Sequence, residues 1–213
     1  MIIAIDGPAA AGKGTLARRL ARHFGLAVLD TGLLYRAVGL KVVRQGDDPS
    51  DAAAAAAAAQ GLGPGDLEVS DLRGEAVAAA ASKVAAIPAV RAALLDFQKN
   101  FADHPPGSAK GAVLDGRDIG TVVCPDADAK IFITASVEVR ARRRLKELRD
   151  RGLEAIPSRV LHDMKERDAR DAQRHLAPLE PAVDAFVCDT SDRDADAVFA
   201  AALEFIRSRN ISG

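Results

Sequence analysis

Residues 2–15 read "IIAIDGPAAAGKGT", and the fold is decided there. Ile2 to Ile5 is a short, continuously apolar, β-branched run, as expected of a parallel strand covered on both faces. It breaks into a loop framed by Gly7 and Gly12, with Lys13 next, Gly14 after it and Thr15 at the start of a helix. Glycine is required where the backbone takes positive φ or touches phosphate oxygens. Successive N–H groups then turn inward as an anion nest, and the helix adds its positive dipole end. Lys13 supplies a mobile charge for β- and γ-phosphates. The run Gly7, Pro8, Ala9, Ala10, Ala11, Gly12, Lys13, Gly14, Thr15 is therefore read as a nucleotide phosphate site. Because Gly14 separates Lys13 from Thr15, the Thr15 hydroxyl is expected to meet Mg²⁺ through water. A magnesium site also needs a carboxylate at the end of a neighbouring strand. Asp115, after Ala112-Val113-Leu114, is the candidate, with a plain cap or turn residue as its alternative. Asp6, at the base of the loop, reads as structural.

Outward from the loop, Thr15 to Phe24 reads as a helix with Leu16, Leu20 and Phe24 on one face, ended by Gly25. Ala27 to Leu29 is a second strand, followed by a helix carrying Tyr35 and Arg36. Strand, helix, strand at this spacing implies a parallel sheet. Eight alanines, Ala52 to Ala59, predict a helix with little to bury. Residues 60–65 read as a loop, 73–97 as a helix interrupted by Pro88, and 101–111 as a connector. Further strands are expected at 111–114, "KIFIT" (130–134) and 185–188, with an arginine-rich helix from Val137 and a closing helix over 192–207. The spacing predicts a core of 1–39, 101–147 and 176–213, an insertion over 40–100 and a lid over 148–175.

The chain has 213 residues, 48% of them hydrophobic, which suits one packed unit rather than a disordered binder. A net charge of −1 argues against a nucleic-acid coat or a membrane-surface protein. No apolar run approaches the roughly 20 residues of a membrane span, and the N-terminus lacks a signal-peptide flank. Cys124 and Cys188 are far apart and read as buried small hydrophobes in strands of a reduced, cytoplasmic protein. His23, His104, His162 and His175 read as surface or packing residues.

A phosphate loop does not say where the phosphate goes. No Asn-Lys-x-Asp motif marks a guanine-binding switch, and there is little room for a motor. A small kinase needs arginines facing the loop and a mobile lid that excludes water. Between Arg140 and Arg151 there are seven basic residues against two acids. Beyond them, in "KERDARDAQRH", Arg167, Asp171 and Arg174 fall on one helical face. Arginine binds phosphate oxygens through a planar fork and stays charged.

Taken together, "GPAAAGKGT", "LDTGLLYRA", "ASKVAAIPAVR", "LDGRDIGTVVCPDADAKIFITAS" and "KERDARD" resemble the bacterial cytidylate kinases, nucleoside monophosphate kinases, over nearly the whole chain. The resemblance implies a P-loop kinase fold of the α/β class: a five-stranded parallel sheet with helices on both faces, a monophosphate-binding insertion and a short lid. It implies ATP with Mg²⁺ as donor and CMP or dCMP as acceptor. Position by position it implies that Asp30 and Thr31 lie beside the acceptor and that Arg36 and Arg117 bind its phosphate. Ser82, Arg91 and Asp118 would read cytosine, Arg167 and Asp171 would lie by the sugar, and Arg174 near the transferred group. Lys13, Arg117, Arg174 and Asp115 are the expected catalytic set, Arg140 joins the ATP site, and Thr15 with Asp115 holds the metal. A monomer without nucleic-acid or membrane partners is expected. Thr31 stands where the family pattern has serine, and only Leu67-Glu68-Val69 and the alanine tract remain of a strand-rich insertion. Other small kinases, acting on UMP, AMP, dTMP or a hydroxy acid, and a binding protein that has lost transfer remain alternatives.

Overall fold

Five strands form one parallel sheet: β1 (Ile2–Asp6), β2 (Ala27–Asp30), β3 (Ala112–Gly116), β4 (Ala129–Thr134) and β5 (Phe186–Asp189), in the order β2-β3-β1-β4-β5. They are seen in a computed structural model that describes residues 1–174 and 176–209. The strand of the opening motif is thus central, and Ile3, Ala4 and Ile5 are fully buried. Its period of two splits the core. Ile3, Ile5, Val113, Ile131 and Ile133 face α1 (Lys13–Phe24) and α8 (Ala195–Ser208), where they meet Leu16, Leu20, Ala202 and Ile206. Ala4, Ala112 and Leu114 face the other way, onto Ile119, Val123 and Ala102.

The remaining helices are α2 (Thr31–Gln45), α3 (Ala52–Gln60), α4 (Glu75–Val84), α5 (Pro88–Asp103), α6 (Val137–Asp150) and α7 (Pro157–Ala172). Pro88 opens α5, which runs at 99° to α4, so the apolar stretch read from the sequence is two helices with a sharp corner. Among the described residues no single helix is long and apolar enough to cross a membrane. Asp51 caps α3 by accepting from the Ala53 and Ala54 amides, and Ala55, Ala58 and Ala59 are buried against Leu34, Val38 and Val90. The alanine tract therefore packs as a close-fitting helix.

Several expectations need correction. Residues 101–103 belong to α5, because Ala102 and Phe101 pack on the sheet. Residues 67–69, the remnant of the insertion, join two 3₁₀ turns, 64–67 and 70–73, and Leu67 and Val69 fold onto Ala37, Leu40, Leu72 and Val77. Cys188 is in β5, but Cys124 follows a π-helical turn, Ile119–Val123. Both cysteines are buried and free. Helix α7 ends at Ala172, so Arg174 lies beyond its C-cap, Gln173. Residues 40, 100 and 148 lie within α2, α5 and α6, so these helices run between the sheet and the segments outside it. His175 and residues 210–213 lie outside the described residues.

Candidate active site

The loop between β1 and α1 is shaped by three positive φ angles, at Gly7 (142°), Ala10 (59°) and Gly12 (105°). A Cβ on Gly7 would stand 1.9 Å from the Ile133 carbonyl oxygen, so this backbone crosses β4 where only hydrogen fits. Lys13 is 6% exposed; its Nζ donates to the Pro8 carbonyl at 3.1 Å and lies 3.6 Å from Asp115 Oδ1. Burial, reinforced by the like charge of Arg117, pushes the ammonium down to about 8, against the pull of Asp115. Burial also raises Asp115, with Lys13 opposing and Asp30 adding to the rise. Asp30 and Asp115 are register partners at the ends of adjacent strands. A Cβ on Gly14 would come within 3.3 Å of Asp115 Oδ2, so this glycine lets the carboxylate sit against the start of α1. Thr15 is exposed on the first turn of that helix. Asp6 is structural, as its position implied: its two oxygens accept from the amides of Ile119 and Gly120, both at 2.8 Å. Burial outweighs those bonds and raises it to about 6.

Opposite the loop, cationic side chains surround Asp171. Arg117 Nε donates to it at 3.1 Å, Arg174 Nη2 lies 3.5 Å from it and Arg167 Nε 4.0 Å. Asp171 is held below the usual carboxylate range: burial would raise it, but the three guanidinium groups prevail. Burial and the neighbouring Arg117 bring Arg167 down to about 9, and burial lowers Arg174. More positive charge is gathered here than the protein itself neutralises, which is the condition of an anion site. Thr31 Oγ1 donates to the Asp115 carbonyl at 2.9 Å, and Asp30 is the N-cap residue of α2. One turn on, Arg36 donates to the carbonyls of Leu72 (2.8 Å) and Gly74 (3.4 Å).

Next to this cluster, Arg91 and Asp118 form a direct ion pair, and the guanidinium of Arg91 lies over the Tyr35 ring, 5.7 Å from its centroid. Ser82 is buried on α4 and accepts from Arg170 Nε at 3.2 Å. Arg140, expected at the ATP site, is 5% exposed, and its fork grips Asp168 at 3.0 and 2.6 Å while reaching the Ala9 carbonyl at 3.4 Å. Its charge is already partnered, so here it ties α6 and α7 to the loop.

The cytidylate kinase family model matches residues 3–208. The chain belongs to that family. It is 67% identical to the cytidylate kinase of Paramagnetospirillum magneticum, over 98% of both chains, and 60% identical to that of Rhodospirillum rubrum, over 99% of both. Among solved structures, an uncharacterized protein from Eubacterium ventriosum aligns with a TM-score of 0.54 at 16% identity, covering 98% of this chain and 99% of that one. A gluconokinase from Sinorhizobium meliloti aligns at 0.52 and 15%, covering 97% and 91%. At these identities the two structures speak for the fold alone, and one of them is a kinase.

Of the residues expected at the acceptor, Arg117, Arg167, Asp171 and Arg174 form one cluster, and Arg91 with Asp118 a second beside it. Sequence reasoning singled out neither Asp168, Arg170 nor Thr190, and took Arg143 only as one of the seven basic residues between Arg140 and Arg151. Arg143 donates to the Thr190 hydroxyl at 2.9 Å and to its carbonyl at 2.6 Å, and Thr190 in turn meets the loop at Ala11. No spacing reveals a partner 179 residues away in the chain. Asp168 and Arg170 alternate with the expected Arg167 and Asp171, and only the turn of α7 shows that all four are engaged.

Proposed function

We propose that this chain transfers the γ-phosphate of Mg-ATP to CMP or dCMP, giving CDP or dCDP and ADP. The observation that carries the choice of acceptor is the Arg91–Asp118 pair beside buried Ser82, at the edge of the Arg117–Asp171 cluster. Cytosine offers an amino donor next to a ring acceptor; uracil reverses both. A carboxylate that only accepts and a guanidinium that only donates, held side by side, match cytosine.

The acceptor is already an anionic phosphate, so transfer needs positioning and cationic stabilisation more than a general base. Arg36 and Arg117 hold the acceptor phosphate, Arg174 stands near the migrating group, and Asp171 with Arg167 borders the sugar. Lys13 meets the charge on the donor's β- and γ-phosphates, with the loop from Gly7 to Thr15 around them. Asp30 and Thr31 fix the near wall.

Mg²⁺ keeps several waters and takes one or two carboxylates plus phosphate oxygens. The adjoining Asp30 and Asp115 fit that donor set; among the described residues no group of three His, Cys, Asp or Glu makes a closed cage. Asp115 would hold the ion and Thr15 would reach it through water, and when bound it neutralises charge on the transferring phosphates.

The units are a core of 1–39, 101–147 and 176–213, an acceptor-binding part over 40–100 and a lid over 148–175. The chain works as a monomer in the cytoplasm, without nucleic-acid or membrane partners; its near-neutral charge supports the absence of polyanionic partners. A coupled assay of ADP formation with CMP, dCMP, UMP, AMP and dTMP, at fixed ATP and Mg²⁺, tests the reading. Turnover with CMP and dCMP well above the others is expected; equal or greater turnover with another acceptor overturns it.

A further inference from the structure

Side chains engage the carbonyl groups of the phosphate loop one after another. Lys13 donates to Pro8 O at 3.1 Å and Arg140 to Ala9 O at 3.4 Å. Ala11 O receives both Thr190 Oγ1 at 3.0 Å and Arg143 Nη1 at 3.4 Å. In a trans peptide the C=O of one residue and the N–H of the next point in opposite directions. Holding Ala9 O therefore aims the Ala10 amide, and holding Ala11 O aims the Gly12 amide. Residues 10 and 12 are two of the three left-handed positions of the loop. A peptide next to glycine flips with little steric resistance, so the Ala11–Gly12 unit is where an external restraint counts most.

We propose that Thr190 and Arg143 are positioning residues for the donor nucleotide: they brace the Ala11 carbonyl so that the Gly12 amide stays aimed at the donor's phosphates. The proposal rests on the reading of this loop as the ATP site. Thr190 is 3% exposed and directly follows β5. Its hydroxyl has one proton to give and two carbonyls in reach, Ala11 O at 3.0 Å and Thr134 O at 3.1 Å. Thr134 O already accepts the Thr190 amide at 2.8 Å. Arg143, which can only donate, occupies a lone pair of the hydroxyl at 2.9 Å. Ala11 O is the nearer of the two acceptors, and Arg143 reaches it as well, so hydroxyl and guanidinium close on the same carbonyl. Neither residue needs to touch the nucleotide; each acts through one peptide.

The test compares the full-length wild type with Thr190→Val, which keeps the shape and loses the hydroxyl, and Thr190→Ser, which keeps the hydroxyl. Dissociation constants are measured by calorimetry for ATP without acceptor and for CMP without donor. Thr190→Val is expected to weaken ATP about tenfold, the effect of one buried hydrogen bond on an aimed amide, and to leave CMP within about twofold. Thr190→Ser is expected to bind both as the wild type does. Wild-type ATP affinity in folded Thr190→Val, or an equal loss of ATP and CMP, overturns the proposal. Should Thr190→Val not fold, Arg143→Lys decides: it loses the two-pronged grip and is expected to weaken ATP alone, by about threefold; unchanged ATP affinity overturns the proposal there too. Acceptor-dependent ADP formation by the wild type is scored separately, so a failure of the kinase reading is seen in that assay and not in the ATP affinities.

Discussion

An ammonium group as enclosed as that of Lys13 keeps its proton only where something negative is near. With Asp115 at 3.6 Å and burial bringing it to about 8, the ligand-free protein loses this charge as pH rises through that value. The parameter kcat/KM for ATP, which reports the free enzyme, is expected to fall above about pH 8. For stability the sign is opposite. The fold carries the cost of the buried charge below about 8 and is relieved between there and 10.5, where only the unfolded chain keeps the proton. Lys13→Ala is expected to lower kcat by roughly 10²–10³, the loss of one preorganised transition-state contact, and to abolish this alkaline limb; a pH series of initial rates checks both. At the acceptor, each mispaired base contact is worth about 1–3 kcal/mol. Wild type should therefore favour CMP over UMP by roughly 30-fold or more in kcat/KM. Asp118→Asn, whose amide carries both a donor and an acceptor, should shrink that ratio by about tenfold. Acceptance of UMP within about tenfold of CMP by the wild type would dismiss the base-reading assignment.

Helices α2 and α4 carry Thr31, Arg36 and Ser82 of the proposed acceptor site, and they pack where α2 has no side chain. A Cβ on Gly39 would stand 2.9 Å from the Ala81 amide and 3.0 Å from the Ala80 Cβ. Gly39→Ala must then push α4, with Ser82, away from α2, which carries Thr31 and Arg36. A loss of about 1–3 kcal/mol is expected, the usual cost of overpacking, read as a lower urea midpoint. KM for CMP should rise more than KM for ATP. At this scale the sequence was legible where pattern and chemistry coincide. Strand β1, the phosphate loop, α1 and the corner at Pro88 all follow from apolar period, glycine and proline. What it hid is set by contacts across the chain. The packing of Leu67 and Val69 onto the α2 surface and Leu72 leaves no periodic signal in the sequence. The charge of Arg140 and Arg143 was plain from the sequence, but not that Asp168 and Thr190 had already taken their forks.

Across the whole molecule, α6 and α7 meet at a turn, residues 151–156, that is largely exposed. Under the lid reading, trypsin should cut near Arg149, Arg151 and Arg159 in the ligand-free protein, and ATP with CMP together should slow this at least about tenfold. Equal cleavage with and without ligands, followed by mass spectrometry, would count against a lid. The same α7 presents Asp168 toward Arg140 and the Gly7–Thr15 loop, and Arg167 and Asp171 toward Arg117. Under the proposed assignment of donor and acceptor sites, one rigid helix is a term in two binding equilibria, and a closed thermodynamic cycle leaves no freedom in how they influence each other. Whatever factor a non-hydrolysable ATP analogue applies to the dissociation constant of CMP, CMP must apply to that of the analogue. Asp168→Asn, which keeps both pockets and weakens the grip between them, should move that shared factor toward unity from both sides of the cycle at once.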